Sequence, residues 1–517
     1  MYRYNVNESF IFCDTIKYEE VNLTVDTSKM FHLDEFNVNG STHTIVYSQI
    51  RTNPYIAGIL DLRKTYGKDN KKMLYQCKPD DKRISTFLIP YEKKPSFQKN
   101  IDYLYITFQF NHWNEIHPYG KITNTIGNVN SLNHLYEYML YCKSLNQSIK
   151  EFTQKSKEEI NKHKNIIQDI SDKYQLKKRD GHIFTIDSTK SVDYDDAISV
   201  SENRISIYIS NVSIILDHLN LWDSFSKRIS TIYLPDKKRS MLPTLLTDCL
   251  CSLKEKTQRI CIVLDLYYDN GIIIKKEVNV MNVRIARNYG FEDSKLLNHK
   301  DYQIALKLCN VKNSYDLISK LMIEYNNTFS NLMKEDKNGI YKSLTLVHKE
   351  LTSIEDHINK FKTSSSHYIE YNENCSYLQM TSPIRRLVDL LNSIQICKNK
   401  EYVNLSENSN EFYNKWYDQL DYINTTMRYI RKVQSKCKLI SIFEKEQDKV
   451  FDGFLFDKLK RSDEKYHYNV FLPELKIYTS ISIQTDYDEF SKQYFKLFMF
   501  NDEACIKKKI KIMIVEN

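Results

Sequence analysis

Glycine is scarce in this chain, with 10 residues among 517. Beside an abundance of Lys, Asn, Ile and Tyr, that scarcity reads as nucleotide bias in the coding sequence and carries no structural meaning. Long apolar runs are missing too. No stretch approaches the ~20 apolar residues needed to span a bilayer, so no membrane segment is expected. The opening residues MYRYNVNESFIF lack the basic-then-apolar layout of a secretory leader. The 11 cysteines form no C-x-x-C pair, and Cys249 and Cys251, one residue apart, are poorly spaced for zinc. These absences lead to the expectation of an intracellular, reduced protein with buried thiols, cytoplasmic rather than nuclear. No internal repeat at a solenoid period is present.

What the chain does contain is globular in character. Hydrophobic residues make up 41% and charged residues 27%, which excludes a disordered chain. At 517 residues it is too long for one ordinary core, and three or four domains are expected. The net charge of +8 suits a polyanionic partner without requiring one. Residues 1 to about 140 carry β-rich runs such as HTIVYSQI, ISTFLIPY and DYLYITFQF between polar turns, the pattern of small β-barrels. From Ser144 to Lys178 the chain is charged and helix-forming, and reads as a connector. A mixed region follows, from about Asp180 to Glu446. Its apolar periodicity predicts one helix through Ile318, Leu321, Met322, Tyr325, Phe329 and Leu332, and a longer one from Trp416 through Leu420, Ile423, Met427, Ile430 and Val433 to Cys437. Beyond Val450 the runs FDGFLF, YNVFLP and IKIMIV predict a final small barrel.

The most informative segment is FTIDSTKSVDYDDAIS, which holds Asp187, Asp193, Asp195 and Asp196. HIFTI reads as a strand ending at Asp187, and AISVS as one starting just after Asp196. Carboxylates gathered at one loop repel each other, and a hard cation with oxygen ligands relieves that repulsion. Mg²⁺ would leave positions for water and for phosphate oxygens. For the loop taken alone, a solvated acidic loop or a structural calcium site is the plainer reading. A second segment, TSPIRRLVDLLNSIQI, places Ser382 as a predicted N-cap and Pro383 at the first helical position. Arg385 and Arg386 would then lie in the first turn, where free N–H groups, helix dipole and guanidinium together favour an anion. An i,i+4 pair of Arg385 with Asp389 is the plainer alternative.

In chain order, the TID…DDA segment, Tyr233-Leu234-Pro235-Asp236, Met241-Leu242-Pro243, Cys251-Ser252-Leu253 and TSPIRR resemble the catalytic domain of the ribonuclease II / ribonuclease R (RNB) family. Upstream, Trp113, Pro118, Gly120 and Gly127 are similar to a pattern ending the second cold-shock barrel in the eukaryotic exosome-nuclease branch. The resemblance covers roughly residues 50–445, and the first 50 and last 70 residues less closely. It implies a multidomain α+β fold: a cold-shock-like barrel in 1–50, a second in 51–143, a helical connector in 144–179, an RNB catalytic domain in 180–447 and a C-terminal OB-type barrel in 448–517. It leaves no room for the extra N-terminal nuclease domain of the exosome enzyme.

The same resemblance implies a monomer that hydrolyses single-stranded RNA from the 3′ end, releasing nucleoside 5′-monophosphates with two Mg²⁺ or Mn²⁺ ions. Asp187 and Asp196 would hold a divalent ion, Asp193 would complete the cluster, and Asp195 matches the carboxylate whose loss abolishes cleavage. Arg385 would brace the phosphate, with Ser382 and Arg386 beside it on the RNA. Tyr233 would stack on the terminal base, and Tyr289 would help position the ribose. Lys177, Lys178 and Arg179, or Lys237 to Arg239, are candidate phosphate contacts, although such runs are usually solvated surface.

Some positions depart from the family pattern. Asn211 stands where an aspartate is usual, and Ser393 and Ile394 replace a His-Arg pair. Ser319 and Lys320 replace a glutamate that contacts the ribose 2′-hydroxyl, with Glu324 one helical turn on as a substitute. Two further readings follow: an RNA-binding pseudo-enzyme, and a single-strand nuclease with relaxed sugar specificity.

Overall fold

Alternation of apolar side chains along Tyr103–His112 gives that strand an inward face, and five such strands close on one another. In the computed structural model, which describes residues 1–5, 10–13, 18–21, 25–39, 42–93, 102–189, 191–336, 338–342, 367–368, 377–461, 463–475, 477–501 and 508–515, the residues group into two units. Unit one holds Met1–Asn146, Leu234–Asp236 and Lys432–Asn517; unit two holds Gln147–Tyr233 and Lys237–Arg431.

In unit one, strands Tyr119–Asn128, Phe87–Tyr91, Lys72–Pro79, Ile56–Asp69 and Tyr103–His112 form a closed barrel in that order. Closure pairs every edge, and Leu60, Cys77, Phe87, Ile106 and Phe108 fill the inside. The motif residues Trp113, Gly120 and Gly127 serve this packing. Trp113 rests on Phe31 at 4.8 Å between ring centroids. A Cβ on Gly120 would fall 2.8 Å from Phe108, and one on Gly127 would fall 2.4 Å from the His134 ring, at a φ of +138°. Only glycine meets both demands at Gly127. Gly127→Ala is therefore expected to destabilise the barrel by roughly 2 kcal/mol, read by calorimetry as a thermal midpoint several degrees lower. An unchanged midpoint would contradict this packing.

The N-terminal strands pair antiparallel in the order Tyr18–Val21, Phe10–Cys13, Tyr2–Tyr4, Glu35–Asn39, Thr42–Tyr47, over a small core of Tyr4, Met30 and Phe36. The C-terminal strands run Ile477–Ile483, Tyr466–Leu472, Val450–Lys460, Lys492–Asn501, Lys508–Val515 over Phe451, Leu455, Tyr468, Val470 and Phe495. Each of these sheets has the strand number of a small barrel. Among the described residues, neither has a hydrogen-bonded ladder joining its two outer strands.

Unit two is built on a seven-stranded mixed sheet, ordered Lys177–Arg179, Ile272–Arg284, Gln258–Asp269, Arg204–Ser210, Asp196–Val200, Phe184–Asp187, Arg287–Gly290. Both end pairs are parallel and the four pairs between them antiparallel. Ile183, Ala197, Tyr208, Cys261, Val263 and Val283 pack on one another as its core. The connector contributes two helices, Lys150–Ile160 and Ile166–Lys173. The predicted long helix from Trp416 is broken. Helix Glu407–Tyr417 buries Phe412, Tyr413 and Trp416, and a second helix, Leu420–Lys445, begins after a tight turn in which Gln419 N–H bonds to Trp416 O at 3.1 Å. Its residues to Arg431 belong to unit two and those from Lys432 to unit one.

Candidate active site

The acidic loop joins the end of strand Phe184–Asp187 to the start of strand Asp196–Val200. Its shape is held by the segment Cys251-Ser252-Leu253. Tyr194 N–H donates to Ser252 Oγ at 3.0 Å, and Leu253 N–H donates to Tyr194 O at 2.9 Å. Ser210 Oγ in turn donates to Cys251 O at 2.7 Å. These residues support the loop rather than the chemistry.

Asp195 is 3% exposed and fully used by the TSPIRR segment. One oxygen accepts the Ile384 N–H at 3.0 Å, and the other accepts Arg385 Nε at 2.9 Å. The second arm of Arg385 donates to Ser382 Oγ at 2.8 Å. Burial pushes the Asp195 carboxyl up, against the pull of Arg385. The guanidinium is thus aimed from two sides, and its pose is set by a charge 190 residues away in sequence.

The predicted helix start is corrected. The helix runs Leu387–Asn399, so Arg385 and Arg386 precede it instead of filling its first turn. The reason is backbone pairing with residues 229–231. Arg386 bridges Ser230, Thr231 N–H donates to Arg385 O at 3.0 Å, and Leu387 N–H donates to Ile229 O at 2.9 Å. Extended backbone at Arg386 is incompatible with helix. The alternative Arg385–Asp389 pair is also replaced, because the fully buried Asp389 accepts from Arg386 at 2.7 Å and from the Ser382 N–H at 2.8 Å.

Asp187 and Asp196 sit beside Asp195 and lack such compensation. Burial, followed by the nearby Asp195 charge, pushes Asp187 up to about 7, opposed by Thr185 and Arg385. Burial pushes Asp196 well up as well, with Asp187 and Asp195 adding to it. Asp187 Oδ2 is buried with no hydrogen-bond partner. Oxygen-only donors, mutual repulsion and an orphaned carboxylate oxygen are the features a hard divalent cation satisfies, so the residues fit such an ion.

Asp193 departs from the expected cluster. Lys238 Nζ grips both of its oxygens, at 2.6 and 2.8 Å. The four aspartates therefore divide into Asp193 with Lys238, Asp195 with Arg385, and the unpaired Asp187 and Asp196. The groups of described residues with three ligand atoms mutually within 4.8 Å do not include them.

Tyr233 follows the stretch that clasps Arg385 and keeps 45% of its surface exposed. Crowding by protein pushes its hydroxyl up to about 12, with Arg385, Asp193 and Asp195 all near enough to be felt. Tyr289 is held among protein groups. It is 8% exposed, its hydroxyl engages His182 Nε2 at 3.3 Å, and its ring packs edge-on against Phe184 at 5.6 Å.

The basic runs are corrected in part. Arg179 makes a bidentate pair with Asp265 at 2.6 and 2.9 Å, Lys178 donates to Gln168, and Lys238 is committed to Asp193. A cationic group not foreseen from sequence lies nearer the TSPIRR segment. Lys342 is pushed down to about 8 chiefly by burial, with Arg386 and Arg431 adding to the shift and Asp389 opposing it. Its run of sequence, GIYKS, gave no signal. Glu324 is drawn away from any ribose role by Lys276 at 2.6 Å, and Lys320 donates to Cys309 O at 2.7 Å. Asn211 caps helix Val212–His218, its Oδ1 accepting the Ile214 N–H at 3.3 Å, so a neutral side chain does that work.

Comparison with known proteins places the loop within a recognised domain. Residues 167–295 match the RNB domain model, a stretch that includes all four aspartates and Tyr233. Ribonuclease R of Chlamydia pneumoniae is 39% identical over 90 residues, which is 16% of this chain and 13% of that protein. The chain therefore aligns with only about an eighth of that relative's length. Among solved structures, Mycoplasma genitalium RNase R in complex with ribose methylated single-stranded RNA superposes with a TM-score of 0.65 at 14% identity, covering 100% of this chain and 96% of that one. Yeast Ssd1, a pseudonuclease, superposes with a TM-score of 0.54 at 13% identity, covering 87% of this chain and 68% of that one. These structural likenesses establish a shared multidomain fold.

Proposed function

We propose that this chain is a divalent-metal-dependent ribonuclease that hydrolyses single-stranded RNA from its 3′ end and releases nucleoside 5′-monophosphates. One observation carries the reading: at the ends of two strands, Asp187, Asp195 and Asp196 gather against Arg385, next to Tyr233. Asp187 and Asp196 would hold the metal, Mg²⁺ or Mn²⁺. When bound, such an ion supplies charge neutralisation and an activated water at the last phosphodiester.

The protein's own groups do the rest. Arg385, aimed by Asp195 and Ser382, braces the phosphate as its charge grows. Arg386 and Lys342 extend the cationic surface along the backbone. Water's oxygen bonds to phosphorus, the bond from phosphorus to the penultimate nucleotide's 3′-oxygen breaks, and that oxygen takes up the proton, so the terminal nucleoside leaves with its 5′-phosphate. Tyr233 stacks on that nucleoside's base without reading it, since every base offers a π-face. Tyr233→Ala is expected to weaken single-stranded RNA binding by about tenfold, within the 1–3 kcal/mol of one stacked base. Fluorescence anisotropy on a short oligonucleotide checks it, and an unchanged Kd would remove Tyr233 from the RNA site.

The test of the proposal is shortening of a 5′-labelled oligo(A) with and without Mg²⁺. Stepwise loss of single nucleotides supports the reading. A second reading, an RNA binder without turnover, draws on the Asp193–Lys238 pair, which neutralises one of the four carboxylates. Binding with no shortening at any metal concentration selects it. A DNA oligomer of the same sequence, run in parallel, reports sugar strictness, and equal rates would overturn the preference for RNA.

A further inference from the structure

Among the described residues, two groups bring three metal-ligating side chains together, with one donor atom from each all within 4.8 Å. They differ in how far those donors are already used. In the group His182, His299 and Asp301, His182 meets Asp301 through Nδ1 at 2.8 Å and Tyr289 through Nε2 at 3.3 Å. Its ring stacks on His299 at 3.9 Å, and His299 Nδ1 accepts the Asp301 N–H at 3.2 Å. Helix capping and ring stacking account for that group in full.

The other group is His163, Asp169 and His218. His163 Nδ1 lies 3.0 Å from Asp169 Oδ2, and the His163 and His218 rings are 5.0 Å apart at 51°. His218 Nε2 is buried and has no hydrogen-bond partner. A buried imidazole nitrogen left without a partner is costly, and the two rings are tilted instead of stacked. We propose that His163, Asp169 and His218 form a binding site for one Zn²⁺-class ion, separate from the acidic site. Two imidazoles and one carboxylate suit zinc chemistry, whereas the oxygen-only set at Asp187 and Asp196 suits a harder ion.

The placement gives such an ion a structural task. His163 lies in the link between helices Lys150–Ile160 and Ile166–Lys173, Asp169 lies on the second of them, and His218 ends helix Val212–His218. One cation would clasp the connector to the helix that follows strand Arg204–Ser210. His163 also faces a cavity of about 510 Å³ lined by Lys164, Lys256, Arg259 and Arg284, so the ligands must outweigh these nearby cations. Lys173 lies close enough to His218 to oppose a cation, and Asp169 and Asp217 offset it.

The experiment uses the full chain stripped by chelator, reloaded with Zn²⁺ and counted by mass spectrometry. Wild type is expected to hold one more ion than His218→Ala or His163→Gln, with affinity lower by at least about tenfold in each variant. Added Zn²⁺ should raise the thermal midpoint of wild type and not of the variants, while His299→Ala and Asp187→Asn retain the ion. Equal zinc counts in wild type and His218→Ala would overturn the site, as would loss in His299→Ala instead. Should His218→Ala fail to fold, Cu²⁺-loaded wild type still decides: electron paramagnetic resonance must show imidazole nitrogen couplings that His163→Gln diminishes, and their absence refutes the proposal.

Discussion

Asp195→Asn is expected to lower release of mononucleotide from single-stranded RNA by about a thousandfold, the upper range for losing one preorganised stabilising group. The substitution is nearly isosteric, so the Ile384 N–H keeps its acceptor. What disappears is the charge holding Arg385 Nε at 2.9 Å. Freed on that side, the guanidinium retains only its bond to Ser382 Oγ and loses its aim at the phosphate. RNA affinity should stay nearly intact, because Tyr233, Arg386 and Lys342 are untouched. Single-turnover release measured beside filter binding separates the two quantities. A parallel loss of binding would argue that Asp195 holds the RNA site together and does not serve the cleavage step.

The largest stability effect is expected at Arg179→Ala. Asp265 is 1% exposed and receives two bonds from Arg179, with Ser206 the other donor. Removing the guanidinium strands a buried carboxylate, which costs about 3–5 kcal/mol. Had Arg179 served as a solvated phosphate contact, the same change would cost almost nothing. The pH dependence follows from direction alone. Burial by itself would raise the Asp265 carboxyl, but the bonds from Arg179 and Ser206 bring it below its ordinary value. A carboxyl depressed in the folded state stabilises above its unfolded value of about 3.9, and that contribution is lost as pH falls through the folded value. Urea midpoints of wild type and variant should therefore lie far apart at neutral pH and draw together in acid. A gap that persists unchanged into acid would exclude the ion pair as its source.

The acidic loop was legible because its chemistry is local: four carboxylates within one strand-to-strand turn leave few ways to relieve their repulsion. Sequence also showed the barrel strands, whose alternation repeats over short windows. Pairings across long separations were invisible. Lys238 sits in a run that reads as solvated surface, yet it comes to Asp193 from 45 residues away. The helix after TSPIRR was placed four residues early, because Ser-Pro is a strong local start signal and the competing ladder to residues 229–231 has no trace in the segment itself. The contact of Tyr289 was hidden similarly. Its neighbours in sequence say nothing of His182, 107 residues upstream. His218 shows the same limit, since two histidines and an aspartate scattered over three elements make no motif.

The ladder joining residues 229–231 to Arg385–Leu387 has a mechanical meaning. It rivets the backbone that carries Tyr233 to the backbone that carries Arg385, 152 positions apart in the numbering yet unable to slide independently. In an RNA held as proposed, ring and guanidinium act like the jaws of a caliper set to one fixed opening. What such a tool gauges is the span from base to phosphate, so a strand with a lengthened or shortened backbone link would be turned away whatever its letters.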